Sequence, residues 1–105
     1  MLSVVFSRVR DGEVERLRAW GRELMERSDE VRETFRQEGV RHESSHLIQT
    51  ADGWVHVIAI EVEDMERARA AFAASKLPID SEHREVMQAA LDGLFPAELL
   101  YECRL

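Results

Sequence analysis

The sequence predicts an α+β domain of element order β-α-β-β-α-β, a four-stranded antiparallel sheet with its helices on one face. Three observations carry that reading. Short alternating runs, "LSVVFSRV", "VRHESSHLIQT" and "WVHVIAIEV", are separated by longer stretches whose apolar residues recur at helical spacing. Asp52-Gly53 between the second and third runs is a strong hairpin signal. Gly39 and Pro78 stand where helical patterns stop. With 105 residues and no linker or short-period repeat, residues 1–105 read as one domain.

Each element follows from its own residues. In the first strand Leu2, Val4, Phe6 and Arg8 fall on one side and Ser3, Val5, Ser7 and Val9 on the other. The first side, with the larger apolar groups, is expected under the helices. Asp11 offers an N-cap, with Glu13 in the first turn where the helix dipole favours it. Val14, Leu17, Leu24, Val31 and Phe35 form one helical stripe with Trp20 near its edge. Ser28-Asp29-Glu30 reads as a second N-cap, so the helix is expected to kink or restart there, and Gly39 ends it. Residues 40–50 and 54–62 are strands joined at Asp52-Gly53. Glu63-Asp64 caps the helix "MERARAAFAAS", which Pro78 breaks. Asp80 or Ser81 caps a further helix, "EHREVMQAALDGL", that stops around Gly93 and Pro96, and "ELLYECRL" is expected to be the last strand. This order is the split βαβ, or ferredoxin-like, pattern.

Composition narrows the function classes. Hydrophobic residues make up 45% of the chain, enough for one core. A formal net charge of −7 opposes binding to nucleic acid or to an anionic membrane surface. Cys103 is the only cysteine, so no intrachain disulfide can form, and its apolar surroundings point to a packed core or interface thiol. The apolar run at the N-terminus is too short for a signal peptide and nothing approaches a membrane span, so a cytoplasmic protein is expected.

His42-Glu43-Ser44-Ser45-His46 matches the H-E-x-x-H letters of zinc proteases. That motif works on a helix, where four residues return to the same face within about 6 Å. On a strand the same spacing separates the Cα atoms by roughly 13 Å. Gly39 before the motif, the poor helix formers Ser44, Ser45 and Thr50, and the Asp-Gly turn after it all favour strand. No metal site is expected, and no cofactor.

On a strand, His42 and His46 share a face. A two-residue turn at Asp52-Gly53 sets Ala51 opposite Trp54, His46 opposite Ala59 and Ser44 opposite Glu61, with Glu61 diagonal to both histidines. A three-residue loop would move the histidines to the other face. Trp54, His56, Ile58, Ile60 and Val62 are expected under the helices. The second face then combines Ser3, Val5, Ser7 and Val9 with His42, Ser44, His46, Ile48, Val57, Ala59 and Glu61. It is too apolar for open water and too polar for an ordinary core, which suits a ligand cavity. His42, His46 and Glu61 are the candidate catalytic groups, because a histidine beside a carboxylate exchanges protons near neutral pH. Ser7, Ser44, Ile48, Val57 and Ala59 are the candidate ligand-binding residues. His83 reads as a surface residue at a helix start, His56 as half-buried structure, and Trp20 and Trp54 as core.

The segments "VVFSRVRDGEVERLRAW", "SDEVRETFRQEGVRHESSHLI" and "AAFAASKLPIDSEHREVM" resemble a family of small bacterial and archaeal proteins of unknown function. That family is similar to the dimeric α/β-barrel superfamily, and the resemblance spans nearly the whole chain. It implies a ferredoxin-like subunit whose sheet packs face to face with a partner's. Relatives in the wider superfamily include cofactor-independent monooxygenases, mutarotases, lactone isomerases, polyketide cyclases and haem enzymes, but one fold hosts many reactions. The expectation is a homodimer that binds a small organic ligand, with acid–base catalysis of the monooxygenase, isomerase or cyclase type. The rival expectation is a non-catalytic dimerising or accessory module with no small-molecule site.

Overall fold

The computed structural model describes residues 1–105. Its elements are β1 (Leu2–Val9), α1 (Val14–Glu26), α2 (Ser28–Glu38), β2 (Val40–Thr50), β3 (Gly53–Val62), α3 (Met65–Ala74), α4 (Pro78–Ala90) and β4 (Leu91–Phe95). The strands form one sheet of order β2-β3-β1-β4 with every neighbour antiparallel. This is the α+β architecture expected, compatible with a ferredoxin-like arrangement. No helix is long and apolar enough to cross a membrane.

Both helical sections are divided. α1 stops at Arg27, whose non-helical backbone N–H donates to the carbonyls of Glu23 and Leu24. The expected cap at Ser28 is not formed. Instead the Arg27 guanidinium reaches Glu30 on α2 at 2.7 Å and Glu82 on α4 at 2.7 Å, fastening the break to a third helix. Asp64 does cap α3, accepting from the Arg67 N–H at 3.2 Å. α4 begins with Pro78 at its first position, where the missing N–H costs nothing. Asp80 lies in the first turn and is buried rather than capping.

Two registers differ from expectation. In the hairpin Thr50 pairs with Gly53, so Ala51-Asp52 forms the tip, and His46 faces Val57, Ser44 faces Ala59 and His42 faces Glu61. Gly53 spends its positive φ of 125° on the first residue of β3, and Thr50 Oγ1 donates to its carbonyl at 2.7 Å. The shift is of two residues, so the face of each side chain is unchanged. An extra residue at Arg41 bulges β2, which puts Val40 opposite Val62 in the core while His42 stays on the other face.

The face of β1 is inverted. Ser7 and Val9 are buried under the helices, while Leu2 and Val4 are exposed. β1 pairs Ser7 with His56 and Val5 with Ile58, and paired residues share a face. The bulk of side chains along β1 alone pointed the other way.

The last strand is also not the one expected. The Arg10 N–H donates to the Ala90 carbonyl at 2.8 Å, fixing the end of α4 to the end of β1. The chain therefore turns at once into β4, pairing Leu91 with Val9 and Phe95 with Phe6. Pro96 has no N–H to extend the ladder, and residues 96–105 form no regular structure. Leu99, Leu100, Tyr101 and Cys103 are exposed on this segment, so the cysteine is not a core thiol. Arg104 ties the segment to the sheet through Glu61 at 2.9 Å.

The core is split. Val9, Leu17 and Ala90 form one cluster, packed by Trp54, Leu47 and Met87. Val40, Val62 and Ala68 form another, packed by Phe35, Ile60 and Met65. Between them, under the helices, the lining turns partly polar.

Two glycines give a test of the backbone. Gly39 ends α2 with a φ of 75°, a left-handed conformation in which an added Cβ is strained even though space is open. Gly21 sits inside α1 with nothing within 4 Å of an added Cβ. In urea unfolding, Gly39→Ala should lose about 1 kcal/mol and Gly21→Ala should gain about 0.5–1 kcal/mol.

Candidate functional site

Four helices approach the sheet from one side, and the divided core leaves a cavity of about 190 Å³ between them and β2–β3. Its walls are largely apolar, from Leu24, Val31, Phe35, Ile60, Phe72 and Ile79, and its polar members are Thr34, Glu38, Glu43, Asp80 and His83, with Arg69. A second cavity of about 240 Å³ lies alongside and shares Leu24, Glu43 and His83 with the first. Trp20, Ser45 and His56 line the second.

Asp80 anchors the polar group. It is 2% exposed, and its Oδ2 accepts from Thr34 Oγ1 at 2.7 Å and from Ser75 Oγ. These bonds join α2, the end of α3 and the start of α4. Thr34 Oγ1 also lies 3.3 Å from Glu38 Oε1. A hydroxyl has one proton, and the nearer acceptor here is Asp80. The Thr34 hydroxyl therefore gives its proton chiefly to Asp80, and its longer bond to Glu38 is the weaker of the two. Burial first, and then the charges of Asp80 and Glu43, push the Glu38 carboxyl up to about 7, against the weaker opposing effect of the hydrogen bond from Thr34. The result is a short relay, Glu38 to Thr34 to Asp80, whose outer member titrates near neutrality.

The neighbouring groups are tuned as well. Glu43, on the edge strand, is exposed over much of its surface, yet the protein mass around its carboxyl displaces water and raises its pKa. Trp20 Nε1 donates to His83 Nδ1 at 2.8 Å. An indole can only donate, so His83 Nδ1 is unprotonated and the neutral ring carries its proton on Nε2. Burial lowers the His83 pKa, as that tautomer requires, against the opposing pull of Asp80. The Phe72 ring meets His83 edge-on at 5.8 Å between centroids. His56, 4% exposed, lies 2.7 Å from Ser45 Oγ through Nε2, and burial followed by the charge of His46 lowers its pKa. His83 is thus no free surface residue, and His56 is buried rather than half-buried.

Of the residues expected from the sequence, only His46, on the edge strand, also lines the second cavity. His42, Ser44, His46, Ile48, Val57, Ala59 and Glu61 lie together on the sheet face away from the helices, joined there by Leu2, Val4 and Phe6. Ser7 does not join them: it is buried on the helix side opposite His56. His46 Nε2 bonds Ser44 Oγ at 2.9 Å, and His42 is the direct cross-strand partner of Glu61. Glu61 accepts from the Met1 ammonium at 3.1 Å and from Arg104 at 2.9 Å. The bond from the N-terminus, with the charges of Arg104 and Arg41, holds its carboxyl below the usual range. Such a carboxylate is a weak base near neutral pH. The chain has no cluster of three or more His, Cys, Asp or Glu side chains that could hold a metal ion.

A family model for a family of unknown function, DUF6176, matches residues 2–104. The chain belongs to the DUF6176 family. No curated protein and no solved structure matches it. For this DUF6176 protein the chemistry must therefore be read from its own cavity. Thr34, Glu38, Glu43, Asp80 and His83 were missed in the sequence because each reads as an ordinary helix or strand residue. One signal was present. Glu43, Ser45 and Leu47 share a face with His56, Ile58 and Ile60, and a glutamate on a helix-covered face calls for an explanation.

The raised carboxyl has a pH signature. Glu38 binds its proton more tightly folded than unfolded, so folding stability falls as pH rises from the ordinary carboxylate range through about 7. Glu38→Gln removes that loss while keeping an acceptor for Thr34. The variant should match the parent in acid and exceed it by on the order of 2 kcal/mol in mild alkali, measured by urea unfolding across pH. A constant difference at all pH values would contradict the assignment.

Proposed function

We propose that this DUF6176 protein is a homodimer of the dimeric α/β-barrel type that binds a small organic molecule in its helix-side cavity and exchanges a proton with it through Glu38. The observation that carries this reading is the relay of Glu38, Thr34 and Asp80 opening into an apolar-walled cavity. A group titrating near 7 can take a proton from a substrate and return it without a large free-energy penalty in either direction. His83, neutral and proton-bearing at Nε2, supplies a donor that can hold a substrate oxygen. Isomerisation, cyclisation or cofactor-independent oxygenation are the reaction types such a site serves. A lone free cysteine fits a cytoplasmic setting.

Assembly is supported by surface arithmetic. The chain alone exposes 7616 Å², against about 6,000 Å² for a folded monomer of this mass. Much of the excess is apolar: Leu2, Val4 and Ile48 on the open sheet face, and Leu99, Leu100 and Tyr101 beyond β4. Packing a second sheet on that face buries this surface, and places His42, His46 and Glu61 at or near the interface.

Light scattering at micromolar concentration should return twice the chain mass, and a monomer would remove the dimer from the proposal. Site and rival module are separated by a fragment screen read by amide NMR. The expected hits move Thr34, Phe35, Glu38, Ile79 and His83. Hits that move His42, His46 and Ile48 instead would relocate the site to the open face. A dimer that responds to no fragment would favour the non-catalytic module.

A further inference from the structure

The second cavity, of about 240 Å³, holds a pair of side chains that the Glu38 relay does not use. Ser45 on β2 pairs with Ile58, and His56 on β3 pairs with Leu47, so the two stand diagonally on the helix-side face. Ser45 Oγ lies 2.7 Å from His56 Nε2 and makes no other side-chain hydrogen bond. Ser45 is exposed on the edge strand, whereas His56 is buried behind it. Both line the cavity, with Leu17, Ile58 and Met87 among its apolar walls. Burial, and then the charge of His46, lower the His56 pKa, so the ring is neutral and able to accept a proton near neutral pH. His83 supplies an independent observation. It lines the same cavity, and because its Nδ1 accepts from Trp20, its Nε2 carries an N–H. A similar pair, Ser44 and His46 at 2.9 Å, forms its bond in the open on the opposite face.

We propose that Ser45 is a nucleophile with His56 as its base, and that the second cavity takes the acyl group of a small carboxylic ester or thioester. A hydroxyl within hydrogen-bond reach of an imidazole nitrogen is the arrangement that activates a serine. Ser45 Oγ attacks the acyl carbon while its proton passes to His56 Nε2. The carbonyl electron pair moves onto oxygen, where the His83 Nε2–H is a donor already present in the cavity. Collapse of this adduct breaks the bond to the leaving oxygen or sulfur, which takes the proton from His56 and departs as an alcohol or thiol. Water then attacks the acyl-Ser45 ester, with His56 again taking and returning a proton, and the carboxylic acid is released. Size limits the acyl group. Benzene fits a cavity of about 150 Å³, so about 240 Å³ suits a short acyl chain rather than a fatty one. The step uses neither Glu38 nor Asp80, so acyl transfer and the proton exchange proposed above stand or fall separately.

The test uses p-nitrophenyl butyrate, with nitrophenolate release followed by absorbance and the acid-quenched protein by peptide mass spectrometry. The expected result is a burst of about one nitrophenolate per chain, with one butyryl group on Ser45. Ser45→Ala should abolish both. His56→Gln can still hydrogen-bond the Ser45 hydroxyl but cannot take its proton, and should slow acylation by about a hundredfold or more. Circular dichroism checks that each variant folds. If His56→Gln does not, the exposed Ser45→Ala and the site of labelling decide the matter, and an alkyl fluorophosphonate should modify the same serine. Butyryl groups on Ser44, His46 or Lys76 with Ser45 unmodified would overturn the assignment. So would an undiminished burst in Ser45→Ala, or no acyl adduct at all. The fragment screen at Thr34 and Glu38 reads the other cavity, so its outcome is independent of this one.

Discussion

Asp80 brings a carboxylate into the helix layer at 2% exposure and holds it there with the hydroxyls of Thr34 and Ser75. An ionised group in that position is tolerated only with hydrogen-bond donors aimed at it, and the first turn of α4 adds the favourable end of the helix dipole. The donors come from α2 and from the end of α3, so one side chain fixes three helices relative to one another. The spacing of those helices over β2 and β3 is what leaves the cavity open. Replacing Asp80 with an apolar residue of similar size would take the acceptor from the buried Thr34 hydroxyl, at a cost of about 1–3 kcal/mol, and from the half-buried Ser75 hydroxyl at a smaller one.

The same carboxylate sets the electrostatics of its surroundings. Its charge helps to raise Glu38, and it opposes the fall in the His83 pKa. Thr34 has a single proton to give and stands between two carboxylates, so burial and the charges of Asp80 and Glu43 outweigh its hydrogen bond to Glu38. Structure and titration are therefore coupled. The protein carries an acid near neutrality because its helices are packed around a buried aspartate. Its apolar core is correspondingly thin, two clusters of three buried residues each, and the polar relay occupies the space between them.

The two faces of the sheet differ in chemistry. The helix face holds the tuned acids and histidines, shielded by Trp20, Phe35 and Phe72. The open face holds the exposed apolar strip with His42 and His46, and Arg104 draws the segment after β4 toward Glu61 on it. The proposed proton exchange would use the shielded face and the proposed association the exposed apolar one. An antiparallel sheet supplies both because successive side chains point to opposite sides.

Element order, the α+β class, the division of the first helical section, the glycine that ends it and the strand nature of the H-E-x-x-H letters could all be read from the residues. Each depends on local backbone preference: the left-handed φ at Gly39, the proline at the start of α4, the period of apolar residues along one element. The helix-side face of β3, with His56, Ile58 and Ile60, was legible too from its alternation, although the full burial of His56 was not. What lay beyond the sequence was everything set by one element against another. The face of β1 follows from its register with β3, so Ser7 is buried where bulk alone exposed it. β4 forms at Leu91–Phe95 because Arg10 holds the end of α4 at Ala90, a contact eighty residues apart in the chain. Glu38, Thr34, Asp80 and His83 become one site only when helix packing brings them together. A carboxylate's pKa depends on water and charge within a few ångströms, which no one-dimensional pattern contains.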